Sequence, residues 1–148
     1  MNRLIRIVSL SNNDRRLLLG AFVLVVLIRL GLWFLPFRVW RRLLSRLTGH
    51  YVPEDGNDPA PAAAEAKRVA WAVGSTSRFV PSASCLTQAV AAKVLMNRRG
   101  IPSRLHIGVA KGDSNTLEAH AWVEYDGRVI IGGGVARYTR LLVLEEIL

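Results

Sequence analysis

Cysteine is almost absent from this sequence of 148 residues, because Cys85 is the only one. A single thiol excludes an internal disulfide and a zinc site built from cysteines, and it fits a reducing compartment in which the thiol stays free. The three histidines are His50, His106 and His120, and they do not cluster at metal-ligand spacing. The chain also has no glycine-rich phosphate loop. The sequence therefore indicates neither a metal nor a cofactor.

Acidic residues are scarce in the first third of the chain, where the basic residues concentrate. Residues 1–50 contain nine arginines and one acidic residue, Asp14, so this segment carries +8 of the formal net charge of +9. We expect it to meet an acidic peptide, a partner protein or an anionic membrane surface, or simply to be a solvated face. No nucleic-acid recognition module accompanies these arginines, so nucleic acid is not an expected partner.

The longest apolar run is short for a membrane span. Residues 17–28 are twelve apolar residues in a row, whereas a spanning helix needs about twenty. Arg29 follows, and the bulky residues up to Trp40 leave no small-residue cleavage site for a secretory signal. Residues 17–35 therefore predict a helix that packs on the domain or lies at a membrane interface, with a spanning helix as the open alternative. We expect a cytoplasmic protein, either free or associated with a membrane.

The composition predicts one domain boundary. Pro36 ends the first helix, and 37–47 has the pattern of a second, amphipathic helix. The stretch that follows is rich in proline, aspartate and glycine and has no periodic pattern. We therefore divide the chain into a basic helical segment (1–50), a linker (51–63) and a domain (64–148), whose first predicted helix spans 65–73 and ends at Gly74.

Cys85 opens a predicted helix. Ser84 can cap the helix, and Gly100 followed by Pro102 ends it. A thiol at a helix N-terminus lies among free N–H groups and at the positive end of the helix dipole, and both favour its thiolate. The alternative is that Cys85 is a small buried hydrophobe. The apolar stripe of this helix consists of Ala89, Val90, Ala92, Val94 and Leu95.

His120 opens a run of alternating residues, 120–125, which Asp126-Gly127 separates from the strand-like 128–131. Asp-Gly between two such runs predicts a hairpin with a two-residue type I′ turn. Residues 104–110 also alternate and predict a further strand. Helices followed by at least three antiparallel strands indicate an α+β domain in which the cysteine helix packs against the strand that bears His120. Cys85 and His120 are then a candidate nucleophile and base.

The remaining histidines are weaker candidates for the base. His106 falls on the face of its strand that the alternation predicts to be exposed, and His50 falls in the linker region. We expect both to be ordinary surface residues.

These pieces together resemble a known family. They match the transglutaminase-like B proteins of lasso peptide biosynthesis, and more narrowly their stand-alone leader-peptidase form, often called B2. The resemblance covers about Ala64 to the C-terminus, and the N-terminal helical segment also resembles that of stand-alone members. The matching stretches are Cys85-Leu86, the helix end from Arg98 to Leu105 with its Gly100-Ile101-Pro102, Ile107-Gly108-Val109, Ala119-His120-Ala121-Trp122-Val123-Glu124 and Arg137-Tyr138-Thr139.

The resemblance implies a papain-like, transglutaminase-like α+β fold with an N-terminal helical appendage. It also implies a cysteine peptidase that cleaves the leader peptide from a ribosomally synthesised lasso peptide precursor. Cys85 would attack the peptide carbonyl, and His120 would accept the thiol proton and return it to the leaving amine. The implied partners are the precursor peptide, a leader-binding partner protein (B1-like) and an asparagine-synthetase-like cyclase.

The group that orients His120 is where this sequence departs from the family. Related enzymes often have an Asp on the returning strand, and counting back from the turn places His120 opposite Gly133. Asp126 lies about 20 Å along the strand from His120, which is too far for Asp126 to take the place of that Asp. A backbone carbonyl, a water, or an acid such as Asp113 or Glu118 remains as the orienting group, and a weak or inactive enzyme is a further alternative. In this sequence the positions on the returning strand where related enzymes often have the Asp are Gly132, Gly133 and Gly134.

Two other functions stay open at this point. One is a non-catalytic scaffold that binds partner proteins at a membrane surface through the basic helices. The other keeps the thioester chemistry but transfers the acyl group to an amine instead of to water.

Overall fold

The computed structural model describes residues 11–47, 59–112 and 116–143, which form four helices and one antiparallel sheet. A short 3₁₀ turn, Val135–Arg137, precedes the last strand. The helices are α1 (Asn12–Phe34), α2 (Phe37–Leu47), α3 (Pro59–Ser77) and α4 (Cys85–Arg98), and the strands are β1 (Arg104–Lys111), β2 (Leu117–Tyr125), β3 (Arg128–Ile131) and β4 (Thr139–Val143).

Three of the helices and one face of the sheet enclose a single core. The inner face of α1 carries buried residues at helical spacing, and its four aliphatic side chains are at most 3% exposed. It packs against α3 and α4, and Asp14 of α1 forms an ion pair with Arg68 of α3. The appendage that the sequence predicts is therefore not confirmed, since α1 shares its core with the rest of the fold. The buried residues of α1 are Leu17, Ala21, Val25, Ile28 and Gly31.

Helix α3 is longer than the sequence predicts. It begins at Pro59, inside the predicted linker of 51–63, and continues through Gly74 to Ser77. Proline is favoured in the first turn of a helix, where its missing N–H has no intrahelical partner to lose. Gly74 costs helix stability but has open space around it. Residues 48–58, which include His50 and most of the linker, lie outside the described residues, and the division at 50 and 63 stays a prediction.

The sheet has the strand order β3-β2-β1-β4, with all neighbours antiparallel. Alternation along β1 and β2 sends Leu105, Ala121 and Val123 into the core. The residues between them lie on the opposite side of the sheet, which we call the outer face. His120 and Trp122 belong to this outer face.

The predicted hairpin forms, but its register changes within three residues. Asp126 and Gly127 have φ values of 49° and 70°, as a type I′ turn requires, and Tyr125 pairs with Arg128. A β-bulge then leaves Ile130 as an extra residue, so that Val123 pairs with Ile131. The predicted pairing of His120 with Gly133 is therefore wrong, because the bulge moves every later position by one residue.

Candidate active site

Cys85 is the first residue of α4, and the predicted cap is confirmed. The Ser84 side chain accepts a hydrogen bond from the Thr87 N–H at 3.3 Å, and its oxygen lies 3.1 Å from the Thr87 hydroxyl. The first-turn N–H groups of a helix have no intrahelical acceptor, so the Cys85 N–H can serve an oxyanion. Cys85 itself is half-buried and packs against the core.

The ring of His120 is oriented by a backbone carbonyl. Its Nε2 lies 2.8 Å from the oxygen of Gly132. A carbonyl oxygen only accepts, so Nε2 must carry the proton in the neutral ring, and the lone pair is then on Nδ1. This is one of the three alternatives that the sequence left open. The arrangement supplies the tautomer that a general base needs without a carboxylate.

Gly132 can hold this position only as glycine. Its φ is +83°, and a Cβ atom at this residue would lie 2.6 Å from the Ala121 carbonyl oxygen and 2.8 Å from the Trp122 Cβ. The backbone of β3 thus leaves the ladder after Ile131 and folds tightly back onto β2. This close approach brings the Gly132 carbonyl within reach of His120.

Tyr138 packs against the same imidazole. The two ring centroids are 4.8 Å apart, and the planes are inclined by 23°. Tyr138 is in turn held by Arg137, which donates to its hydroxyl oxygen at 2.9 Å and to Glu118 at 2.8 Å. Glu118, considered as an orienting acid, therefore pairs with Arg137, and Asp113 lies outside the described residues. Tyr138 belongs to the matching stretch Arg137-Tyr138-Thr139, but the resemblance assigned it no role, and its contact with His120 depends on the turn at 135–137.

The two candidate catalytic residues lie on elements that contact each other. Helix α4 packs against β2, and Cys85 is at its N-terminus while His120 is the fourth residue of β2. In the described part of the chain no hydrogen bond joins the thiol to the imidazole. The pairing of β3 ends at Val123, so β2 has no ladder partner on that side at His120. His120 thus lies where β3 has already left the sheet, with its ring on the outer face, whereas Cys85 begins a helix that packs on the inner face.

His106 does not lie on the surface, which corrects the sequence expectation. It is 3% exposed, its ring stacks on Trp122 at 5.5 Å, and its Nε2 is 3.1 Å from Glu124 without the alignment of a hydrogen bond. The Trp122 N–H and Arg140 both donate to Glu124, at 3.0 and 2.7 Å. The alternation of β1 predicts which face of the sheet His106 lies on, but it does not predict that Trp122 and Glu124 bury His106 on that face.

Burial lowers the pKa of His106, although the nearby Glu124 carboxylate opposes the shift. The ring is therefore neutral at pH 7. Within the part of the chain that the structure describes, no hydrogen-bond partner reaches its Nδ1. We find no cluster of three His, Cys, Asp or Glu side chains among the described residues that could hold a metal ion.

Comparison with known proteins identifies the family but no individual relative. No curated protein and no solved structure gives a significant match. A family model described as the transglutaminase-like superfamily matches residues 31–143, which includes Cys85, His120 and the whole sheet. The match begins at residue 31, near the C-terminal end of α1, and leaves out most of that helix. Because the match covers most of the chain, the protein belongs to the transglutaminase-like superfamily.

Proposed function

We propose that this protein is a cysteine peptidase that removes the leader from a ribosomally synthesised lasso peptide precursor. The observation that carries the chemistry is the hydrogen bond between His120 Nε2 and the Gly132 carbonyl, which leaves Nδ1 as the basic atom. Cys85 is the only thiol in the chain and begins the helix that packs on the strand of His120. Membership of the superfamily supports acyl chemistry on a cysteine. The lasso precursor is inferred from the matching stretches of sequence.

The reaction has two halves. The sulfur of Cys85 attacks the carbonyl carbon of the scissile amide, and its proton passes to Nδ1 of His120 and then to the departing amine. The core peptide leaves with its new amino terminus, and the leader stays as a thioester on Cys85. Water then adds to the thioester carbon with His120 as base, releasing the leader carboxylate and restoring the thiol. The Cys85 N–H is a donor to the oxyanion in both halves.

The proposal requires substrate binding to bring the Cys85 sulfur to Nδ1 of His120, because no hydrogen bond joins them among the described residues. Catalytic hydrogen bonds are commonly long in free enzymes and tighten in the substrate complex. The two groups must meet around the edge of the sheet at His120, where β3 has ended, and the exposed Gly133 at this edge leaves room for a peptide backbone. A leader-binding partner protein would present the substrate, and an asparagine-synthetase-like cyclase would consume the released core.

The test is cleavage of a precursor by the full chain together with its leader-binding partner. Cys85→Ala should abolish cleavage while its thermal unfolding stays close to that of the wild type. His106→Gln is the matched control for His120→Gln, since both remove an imidazole from the outer face but only His120 is the proposed base. We expect no cleavage from His120→Gln and retained cleavage from His106→Gln below its melting temperature. Cleavage by Cys85→Ala, or equal activity of the two histidine variants, would exclude the proposed mechanism.

Product mass separates hydrolysis from the acyl transfer that other cysteine enzymes perform. Hydrolysis adds one water across the cleaved bond, whereas transfer would leave the acceptor amine attached to the leader. We expect only the first product, even when an excess of a primary amine is present.

A further inference from the structure

The outward side of α1 is as apolar as its buried side. Leu19, Val23, Leu27, Leu30 and Phe34 follow one another at intervals of three or four residues and form a line that we call the apolar ridge. Leu27 is 58% exposed and Phe34 is 73% exposed. A contiguous apolar surface of this kind is uncommon on a soluble monomer and marks a place of contact.

A second element extends the ridge. The turn after α3 places Phe79, which is 76% exposed, beside the C-terminal half of α1. A groove of about 490 Å³ lies between them, and Arg29 is its charged residue. Its apolar lining is formed by Phe22, Val26, Leu30, Trp33, Phe79, Val80 and Pro81. The apolar surface is therefore wider than one helix.

The charge around the ridge has one sign. Residues 11–47 contain seven arginines and one acid, Asp14, which is already paired with Arg68 of α3. Arg16 precedes the ridge, and α2 follows it with an exposed Arg38, Arg42 and Arg46 beside the exposed Val39 and Leu43. An apolar strip bordered by arginines suits a surface that offers hydrocarbon beneath a layer of anionic phosphates. A second copy of the chain would bring two such positive surfaces together, which repulsion disfavours.

We propose that α1 and the turn at Phe79 form a surface that binds anionic membranes, with α1 lying in the plane of the interface. Among the described helices, α1 alone is long and apolar enough to cross a bilayer, but its inner face is part of the core. A spanning orientation would remove Leu17, Val25 and Ile28 from that core and expose the faces of α3 and α4 that they cover. An orientation in the plane keeps the core intact and places only the apolar ridge in the lipid. Trp33 and Phe34, at the C-terminal end of α1, have the ring chemistry that favours the lipid–water boundary.

Vesicle flotation of the full chain tests this surface. The test compares vesicles of phosphatidylcholine that contain about 30% phosphatidylglycerol with vesicles of phosphatidylcholine alone, both at about 0.15 M salt. The wild type should float with the anionic vesicles and much less with the neutral ones. Leu27→Glu should lower the partition coefficient at least about tenfold, because a carboxylate at the centre of the ridge opposes entry into hydrocarbon and is repelled by the lipid phosphates.

Leu117→Glu is the matched control. Leu117 is 78% exposed at the start of β2, away from the ridge, so this variant carries the same change of charge and should float like the wild type. The proposal is overturned if Leu27→Glu floats as well as Leu117→Glu, or if the wild type stays with neither kind of vesicle. It is also overturned if the wild type is a dimer that Leu27→Glu dissociates without any flotation. Precursor cleavage in solution should be equal in both variants, so failure here and failure of the peptidase proposal are distinguishable.

Discussion

The three consecutive glycines after β3 allow the positioning of His120 to be tested by single methyl groups. Gly132→Ala places a Cβ atom 2.6 Å from the Ala121 carbonyl oxygen, and it must also adopt a φ of +83°. A left-handed conformation costs an alanine about 1 kcal/mol. Overpacking against backbone that cannot move aside adds about 1–3 kcal/mol. We therefore expect a loss of about 2–4 kcal/mol in the free energy of unfolding, which corresponds to a fall in Tm of about 5–15 °C.

The two neighbouring glycines separate the cost of the left-handed backbone conformation from the cost of the steric clash. Gly133 has nothing within 4 Å of its would-be Cβ and no positive φ, so Gly133→Ala should leave stability unchanged within about 0.5 kcal/mol. Gly134 has a φ of +79° but open space, so Gly134→Ala should show only the conformational cost of about 1 kcal/mol. The difference between positions 132 and 134 measures the clash alone.

Gly132→Ala should slow precursor cleavage by more than its loss of folding stability explains. Relief of the clash displaces the Gly132 carbonyl from Nε2, and the imidazole loses the contact that fixes its tautomer. General-base catalysis contributes about 10²–10⁴-fold to a rate, so we expect single-turnover cleavage at least about 100 times slower at a temperature where the variant is folded. The assay is mass-spectrometric cleavage of the precursor, with Tm measured on the same samples. Wild-type cleavage by Gly132→Ala, or a Tm equal to that of Gly133→Ala, would refute the reasoning.

Two further predictions concern rings near the site. Tyr138→Ala removes the ring that stacks on His120 at 4.8 Å, so it should slow single-turnover cleavage about tenfold. Tyr138→Phe keeps the ring and should keep the wild-type rate. Equal rates for the two variants would show that the stacking does not position His120. The free energy of unfolding should fall as the pH is lowered through 6.5. Burial lowers the pKa of His106 in the folded chain, so at these pH values the unfolded chain binds more protons than the folded chain does. Urea unfolding at pH 7.5 and 5.5 should show a smaller decrease for His106→Leu than for the wild type, and an equal decrease would rule out His106 as the cause.

The features that the sequence predicts well are local. The cap of Ser84 on α4 and the Asp126-Gly127 turn each depend on residues within four positions of one another, and both form as expected. The break at Pro36 likewise follows from a ring that cannot continue a helix. Cys85 and His120 stay predictions as nucleophile and base, because they rest on residue types and matching stretches and not on geometry.

The features that the sequence misses depend on contacts between distant residues. A β-bulge at Ile130 adds a single residue, and nothing in the side-chain alternation of a four-residue strand marks it. The burial of His106 requires Trp122, Glu124 and Arg140, which two other strands supply. Helix α1 is apolar on both sides, so its composition could not decide whether it joins the core or leaves it.

A carbonyl in place of a carboxylate changes what the third group of the site can contribute. Both accept a hydrogen bond from Nε2–H and so fix the orientation of His120, but only a carboxylate adds a full negative charge beside the imidazolium that forms in the reaction. A carboxylate cannot take over at position 132, because any side chain there meets the backbone of Ala121 and Trp122. At position 133 a side chain has room, but the ladder has already ended and the bulge has changed the direction of the strand. The bulge, the glycine and the carbonyl therefore form one structural unit, in which the charge that a carboxylate would add is absent while the orientation of the base is kept.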